Sequence, residues 1–221
     1  RSLVLTVNYK NPIRAFFVNS YVSYLHHRNA FLREQLYQGD YIILYHLPQT
    51  SESETYRLGS RVSKGWDWWE LVSTLAVSYS DAHSRMRQNG VLQPYRSDIF
   101  QTKLDLTARP ARWVSWEYQL MYSCNRMKSD TYQSSVNHWR QHFSVSFRPS
   151  SRWRMGMSGE HYRDVMTEKH SKSFVLIDAD LSYNLSSHCE INLRLSNLLN
   201  EKRYAYTMLG DLTRSYSEYR I

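Results

Sequence analysis

Residues 69–79 alternate between apolar and polar side chains with the period of a β-strand. One side of the extended chain carries Trp69, Leu71, Leu75, Val77 and Tyr79, and the other carries Glu70, Thr74, Ser78 and Ser80. The aromatic residues at the two ends are about ten positions apart, which is the length that a tilted strand needs to cross the hydrocarbon layer of a membrane. The segment therefore predicts a strand whose apolar side faces lipid.

The same alternation recurs along the chain, in residues 3–10, 16–24, 100–108, 114–123, 138–148, 152–160, 175–183 and 189–196. A soluble β-sandwich packs its apolar faces against each other and does not require aromatic rings at both ends of its strands. We therefore predict an all-β fold, a transmembrane antiparallel β-barrel with about a dozen strands in this chain. Residues 1–221 form one barrel domain in this interpretation.

Composition agrees with this prediction. The chain has 221 residues, of which 42% are hydrophobic, and its mean hydropathy is -0.62. It contains no apolar run of about 18 residues, so a membrane-spanning helix is excluded. The 18 Tyr and 7 Trp residues concentrate at the ends of predicted strands, as in the aromatic girdles of membrane barrels.

Net charge argues against a nucleic-acid-binding protein, and cysteine usage argues against a disulfide or a zinc site. The charge of +8 is spread over strands and loops without a basic helix or an RNA-binding motif, so we expect no nucleic-acid partner. Cys124 and Cys189 lie on the apolar sides of different predicted strands, and we expect them not to form a disulfide. No spacing typical of a zinc site is present, and we predict neither a metal nor a cofactor.

Turn residues and polar stretches orient the predicted barrel. We predict short turns at residues 11–12, 65–67, 109–111, 148–151 and 184–188, and longer polar loops at residues 49–54, 81–96, 125–135, 163–172 and 200–214. Short turns belong on the periplasmic side and long loops on the extracellular side. The loop residues Tyr95, Arg96 and Tyr206 are candidate ligand contacts.

Polar side chains on the second side of the strands are predicted to line a water-filled lumen. The candidate lining residues are Lys103, Asp105, Glu117, Arg140, His142, Arg154, Asp178, Asp180 and Arg194. Polar residues are required on that side of a barrel in any case, and no nucleophile elbow, phosphate loop or metalloprotease motif is present. We therefore predict no catalytic residues and no enzymatic activity.

Residues 26–48 fit the alternation poorly. The segment 41–45 is continuously apolar. A strand buried on both faces against a plug, a bulged strand, or a different register are the three explanations that this segment leaves open.

The end of the chain carries a resemblance to a known family. An alternating strand from Glu190 runs into Asn197-Leu198-Leu199-Asn200, followed by Lys202 and Tyr204. This arrangement resembles the penultimate strand of TonB-dependent outer-membrane receptors, which ends in an Asn-Leu-Phe-Asn box. Leu199 stands here in place of Phe.

The resemblance implies a plugged barrel of about twenty-two strands. It further implies TonB-dependent uptake of a scarce solute, such as an iron chelate, a cofactor or an oligomer, across the outer membrane of a Gram-negative cell. The expected partners are the lipid bilayer, the plug domain, the remaining barrel strands, TonB acting through the plug, and a surface lipoprotein.

The extent of the chain and its function both leave alternatives open. No plug and no signal peptide are visible, so we expect the chain to be the C-terminal portion of a larger receptor, or else a complete small barrel. The alternative functions are a passive outer-membrane pore and a soluble secreted β-sandwich that acts as an adhesin or binds glycans.

Overall fold

The structure is a computed structural model of the chain. It describes residues 1–29, 31–38, 41–130, 133–167, 170–186, 188–210 and 213–220, without the side chains of residues 166–172, 203–216 and 218–220. Within these ranges, no helix has the length and apolar character needed to cross a membrane.

The described chain consists of fourteen strands and a single 3-10 turn. The strands are β1 (Ser2–Asn11), β2 (Phe16–Asn29), β3 (Leu32–Gln38), β4 (Tyr41–Leu47), β5 (Ser51–Trp66), β6 (Leu71–Gln88), β7 (Val91–Ala111), β8 (Val114–Ser129), β9 (Gln133–Phe147), β10 (Trp153–Thr167), β11 (His170–Ser186), β12 (Cys189–Leu195), β13 (Arg203–Gly210) and β14 (Thr213–Arg220). The predicted all-β class is confirmed.

Twelve of these strands form one sheet. Its main path is β1-β2-β5-β6-β7-β8-β9-β10-β11-β12, and each neighbouring pair on this path is antiparallel. The hairpin of β3 and β4 joins β6 through a short parallel contact, and β13 pairs with β14 in a separate two-stranded sheet. In the described part of the chain the large sheet is open, with β1 and β12 at its edges.

Cross-strand register defines two faces of the large sheet. Directly opposed residues on neighbouring strands share a face, so one row joins Tyr9, Val18, Val62, Leu75, Leu104 and Leu120 across six strands. We call the side that carries this row the apolar face. The opposite side, which carries Asn19, Arg61, Lys103 and Arg140, is the polar face.

Aromatic pairs lie at both ends of the apolar face. Near the short turns, Trp113 contacts Phe147 with ring centroids 5.1 Å apart, and Trp153 contacts Tyr183 at 4.3 Å. Towards the other end, Tyr24 contacts Tyr56 at 4.9 Å and Tyr122 contacts Trp139 at 4.5 Å. Such pairs add to the stability of neighbouring strands beyond the area that they bury.

Little of the apolar surface is buried. Among the described residues, the buried hydrophobic side chains are Leu32, Met86, Ala108, Met127, Val136 and Phe174. Leu5, Leu58, Ile191 and Leu193, all on the apolar face, stay more than half exposed. The fold therefore places its large hydrophobic residues on an uncovered face.

The predicted turn at residues 109–111 is wrong. These residues belong to β7, and a register shift against β8 between Ala108 and Ala111 places Pro110 in a bulge. Proline is tolerated there because the bulged residue does not donate to the ladder. Likewise, Trp69 does not begin a strand, because it lies in the 3-10 turn Trp68–Glu70 with φ 59°.

The predicted long loops are also wrong. Residues 81–96 continue β6 to Gln88 and begin β7 at Val91, so that only Asn89 and Gly90 turn the chain. Their φ angles are 49° and 81°, as in the tight turn that an Asn-Gly pair favours. Most of residues 125–135, 163–172 and 200–214 are likewise strand. Towards the Asn89-Gly90 turn, both faces of β6 and β7 carry polar residues. A polar composition on both faces is also typical of a loop, which is why the strands were not predicted there.

The ambiguous segment 26–48 forms the end of β2 and the β3–β4 hairpin. Tyr41, Ile42 and Leu44 of β4 are mostly exposed, so a strand buried on both faces is wrong for residues 41–45. β3 is instead the packed strand, because the backbone N–H of Asn89 donates to Gln35 O and that of Gly90 donates to Glu34 Oε1. These bonds fasten the hairpin to the β6–β7 turn.

Candidate functional site

Polar and charged residues on the polar face form the candidate site. All nine predicted lining residues lie on this face by register, including Lys103, Arg140, His142 and Asp180. Period-two alternation was sufficient to place them together, because it follows from strand geometry alone. That they line a lumen stays a prediction.

One register row across the polar face carries three cations and no carboxylate. The row reads Asn19, Arg61, Ala76, Lys103, Met121, Arg140, Tyr162 and Phe174, from β2 to β11. We call this set the basic row. Its cations occupy alternate strands, and neighbouring strands lie about 4.8 Å apart, so successive cations are spaced by about 10 Å along the row.

Arg140 lies beside aromatic rings in the basic row. Its guanidinium carbon is 5.0 Å from the centroid of the Tyr162 ring, within the range of a cation–π contact. Tyr162 in turn stacks on Phe174, with centroids 4.7 Å apart and an interplanar angle of 14°. The rings hold the guanidinium on the surface of the polar face, where 52% of the Arg140 side chain is exposed.

The carboxylate nearest to Arg140 is engaged by other groups. Tyr162 donates its hydroxyl to Glu160 Oε2 at 2.6 Å, and Nδ1 of His142 lies 3.4 Å from Glu160 Oε1. Arg140 Nη2 is 4.0 Å from the same Oε1, which is too far for a hydrogen bond. Arg140 therefore keeps its N–H donors free of hydrogen bonds to the described residues.

Lys103 differs from Arg140 because it has a close ionic partner, with its Nζ 3.0 Å from Asp105 Oδ1. Arg61 has no carboxylate within ion-pair distance among the described residues. A cavity of about 530 Å³ opens beside these two residues, and Tyr21, Ala76, Gln101 and Met121 line it further.

Other contacts tie the polar face together towards the short turns. Arg154 of β10 donates to Glu190 of β12 at 3.0 Å across the intervening strand. Asp178 accepts the backbone N–H of Asn197 at 2.7 Å. Further from these turns, His138 Nδ1 lies 2.8 Å from Asp164 Oδ1. The Arg154–Glu190 and His138–Asp164 pairs each join two strands of the sheet, and the Asp178–Asn197 bond fastens the turn after β12 to β11.

Tyr95 and Arg96, two of the three candidate ligand contacts, do not form one loop site. Tyr95 and Arg96 are neighbours on β7, so they point to opposite faces. Tyr95 lies on the polar side with Ser84 and lines a cavity of about 600 Å³ under the β3–β4 hairpin. Tyr206 lies on β13, and its side chain falls outside the described residues.

Arg96 is held in a charged cluster beyond the aromatic end of the apolar face. Its Nε and Nη2 donate to the two carboxylate oxygens of Asp81, both at 3.0 Å, and Nε also lies 3.1 Å from Asp98 Oδ1. Burial raises the pKa of Asp81, but the hydrogen bonds and charges of Arg96 and His83 outweigh it, so the pKa lies below its ordinary value. The Asp81 carboxylate raises the pKa of Arg96.

Sequence reasoning missed Arg61, Tyr162 and Phe174 as members of the candidate site. Arg61 and Tyr162 were detectable, because Arg61 alternates with polar residues along β5 and Tyr162 lies two positions from Glu160. Phe174 had no such signal, since an aromatic residue at a polar-face position contradicts the alternation. Only its pairing with Tyr162 places it at the site.

Metal binding finds no support in the described part of the chain, where no group of His, Cys, Asp and Glu is arranged to hold an ion. Both cysteines are free thiols. Cys124 lies on β8 and Cys189 on β12.

The box at residues 197–200 forms a compact turn after β12. Asn197 has φ 54°, donates its side-chain amide to Glu201 O at 2.9 Å and accepts the Glu201 N–H at 2.8 Å. Asparagine tolerates this left-handed conformation and commonly bonds to the backbone of such turns. The motif is thus explained by local turn chemistry.

Comparison with known families corrects the TonB-dependent assignment. The model of the family described as "Putative MetA-pathway of phenol degradation" matches residues 96–208, slightly more than half of the chain. This is a different family from the TonB-dependent receptors, so the resemblance inferred from the Asn197 to Asn200 box was wrong. Neither the curated proteins nor the solved structures contain a match. The chain therefore belongs to this family, through the segment that begins in β7 and ends in β13.

Proposed function

We propose that this protein is a β-barrel of the outer membrane that lets small solutes diffuse through a polar interior. The apolar face would contact lipid and the polar face would surround the solute path. This is a passive channel, and no energy-coupling partner is part of the proposal.

The uncovered apolar face is the observation that carries this proposal. Leu75 on β6 is 46% exposed and Ile191 on β12 is 55% exposed. The other side of these strands is polar, with Thr74 and Ser78 on β6 and Glu190 and Arg194 on β12. A continuous apolar surface of this size is unusual on a soluble monomer and marks contact with a membrane or a partner. Aromatic residues at both of its ends favour the membrane.

The extended ends of the strands support an orientation. β6 and β7 continue about nine residues beyond the row of Tyr79, which gives about 30 Å of additional strand. The charged cluster of Asp81, Arg96 and Asp98 lies on this extension. In membrane barrels the longer segments outside the bilayer lie on the extracellular side, so we assign the extended ends of β6 and β7 to that side.

A barrel in lipid requires closure of the sheet. Unpaired backbone groups at the edges formed by β1 and β12 would each cost several kcal/mol in hydrocarbon. We therefore expect β1 and β12 to be joined in the membrane, directly or through further strands.

The family description refers to phenol degradation, and a phenol is small enough for the interior of such a barrel.

Detergent dependence and conductance test the proposal. The full chain is purified in detergent, examined for heat-modifiable gel migration, and reconstituted into planar bilayers. We expect detergent to be required for a monodisperse protein, and stepwise conductance after insertion. A protein that is monodisperse without detergent contradicts the barrel and favours the soluble sandwich, whereas a folded, inserted protein without conductance contradicts the channel.

A further inference from the structure

Cations are distributed over the polar face in a pattern that the channel proposal alone does not require. The basic row brings Arg61, Lys103 and Arg140 together across β5 to β9 without a carboxylate among them. The next row towards the short turns contains Asp105 and Glu160, and the row on the other side contains Asp164. The acidic groups of these flanking rows are contacted by Lys103, His142 and His138.

Two of the three cations keep free binding capacity. Arg61 has no ion pair among the described residues, and Arg140 lies 4.0 Å from a carboxylate that His142 and Tyr162 already contact. Guanidinium groups with free donors bind carboxylate and phenolate oxygens well, because their planar N–H groups can contact two acceptors at once.

The apolar side chains around Arg140 favour a ligand that has an apolar part besides its charge. Met121 precedes it in the row and is 39% exposed, and Tyr162 and Phe174 follow it. Leu176 lies opposite Glu160 in the adjoining row. Most other side chains on this face are small, polar or charged, so an exposed methionine and two stacked rings beside a cation offer an apolar contact surface that the water-filled interior does not require.

We propose that the basic row selects anions and that Arg140, with Met121 and Tyr162, binds aromatic anions such as an aromatic carboxylate or a phenolate. The guanidinium of Arg140 would hold the anionic oxygens, and the ring of the solute would rest against Met121 or the Tyr162 ring. This inference rests on the proposed channel and names the class of solute that passes through it.

In a barrel with tilted strands, the basic row would run along the solute path. Strands in membrane barrels tilt by about 40°, so a row at right angles to the strands climbs the wall and does not form a level ring. Cations about 10 Å apart along that line offer successive positions to an anion. Rows of basic side chains are one of the ways in which pores select anions.

Ion selectivity tests the basic row. The full chain and the variants Arg61→Gln and Arg140→Gln are inserted in planar bilayers, and the reversal potential is measured under a potassium chloride gradient. We expect preference for chloride over potassium in the parent, and a shift towards potassium in each variant. Arg126→Gln is the matched control, because Arg126 lies opposite Asp98 on the other face and its loss should leave the potential unchanged.

Two results would overturn this part of the inference. They are a parent channel without anion preference, and a shift in Arg126→Gln as large as that in Arg140→Gln. A parent protein that inserts and does not conduct refutes the channel itself, so failure of the two proposals is distinguishable.

Block of the chloride current tests the aromatic subsite, with benzoate, acetate and benzyl alcohol as probes. We expect benzoate to block at concentrations where acetate and benzyl alcohol do not. Arg140→Gln should raise the half-blocking concentration of benzoate by about tenfold, the change expected from loss of one charge-assisted hydrogen-bonded pair. Arg140→Lys should retain less block than the parent because a lysine lacks the planar donor pair.

Tyr162 provides the second variant series. Tyr162→Phe keeps the ring and should keep the preference for benzoate over acetate, whereas Tyr162→Leu should reduce that preference. If Tyr162→Leu does not fold, the comparison of benzoate with acetate in the parent and in Arg140→Gln still decides whether the aromatic-anion site exists. Equal block by acetate and benzoate, or unchanged benzoate block in Arg140→Gln, overturns the aromatic-anion site.

Discussion

The ring of Tyr21 lies directly over Gly59 on the polar face. A Cβ atom built at Gly59 would be 2.6 Å from Cε1 of Tyr21 and 2.8 Å from its hydroxyl oxygen. The two residues are opposed in the register of β2 and β5. Glycine thus leaves space for an aromatic ring to lie flat on the strand, an arrangement known to stabilise β-sheets around glycine.

Substitution of Gly59 tests this packing. We expect Gly59→Ala to displace the ring and to lower the free energy of unfolding by about 1 to 3 kcal/mol, as other overpacked sites do. Denaturant unfolding in detergent measures the effect. Gly159→Ala is the control, because a Cβ there would approach no closer than 3.7 Å, and it should change stability much less. Equal effects in both variants would contradict a specific role for the Tyr21 contact.

Arginine substitutions on β6 distinguish the lipid-facing side from the solute-facing side. Leu75 lies on the apolar face, and Ser78 lies on the polar face beside a cavity. We expect Leu75→Arg to cost about 2 to 4 kcal/mol near the bilayer centre, and Ser78→Arg to cost much less. Folding efficiency into lipid vesicles measures the difference. Better insertion of Leu75→Arg than of Ser78→Arg would reverse the assignment of the faces.

The Asp81–Arg96 pair gives a pH dependence whose sign follows from its pKa. The folded-state pKa of Asp81 lies below its ordinary value of 3.8, so the pair stabilises the fold above that pH and its contribution disappears as the pH falls through the folded-state value. Because Arg96 is about half exposed, solvent screens the pair and its contribution to stability is small.

Asp81→Asn should therefore lower stability relative to the parent at neutral pH, and the difference should vanish once the pH has fallen below the folded-state pKa of Asp81. Unfolding in detergent as a function of pH measures this. The matched control is Asp67→Asn. Asp67 lies just before the 3-10 turn that leads into β6, and it has no ion pair among the described residues. A pH-independent difference for Asp81→Asn would contradict the ionic origin of the effect.

Asn89 links the β6–β7 turn to the β3–β4 hairpin. Its side-chain oxygen accepts the backbone N–H of Tyr37 at 2.9 Å, and its φ angle is 49°. We expect Asn89→Ala to lose the bond and strain the turn, at a cost of about 1 to 2 kcal/mol. Asn89→Gly should relieve the strain and lose only the bond.

Amide hydrogen exchange in β3 measures this prediction locally. Protection of the Tyr37 amide should fall in both variants, and global stability should fall more in Asn89→Ala. Unchanged protection of Tyr37 in Asn89→Ala would show that the side-chain bond does not hold the hairpin.

Turn positions show where sequence reasoning failed. The Asn89-Gly90 pair is a strong hairpin signal, yet the polar residues around it were interpreted as a long loop. Arg109-Pro110-Ala111 was interpreted as a turn, and it lies in a bulge because the strand continues past the proline. Polar residues and proline are only correlated with loops. Asn and Gly, by contrast, tolerate the positive φ angles that a tight turn requires, so the Asn89-Gly90 pair indicates a turn for a physical reason.

Alternation was sufficient to determine the class of fold and the two faces of the sheet. Side chains on a strand point to opposite sides at every step, so the partition of Lys103 from Leu104, or of His142 from Phe143, needs no knowledge of neighbouring strands. The same reasoning assigned all nine predicted lining residues to one face before any pairing was known.

Register was decided only by tertiary structure. Which residue of β9 lies opposite Tyr162, and that Arg61, Lys103 and Arg140 share one row, depends on turn lengths and bulges summed over several hairpins. A shift of a single residue at any of them would move a whole strand to the other face. The charges of the candidate site can therefore be counted from the sequence, but their neighbours are set by how the strands pair.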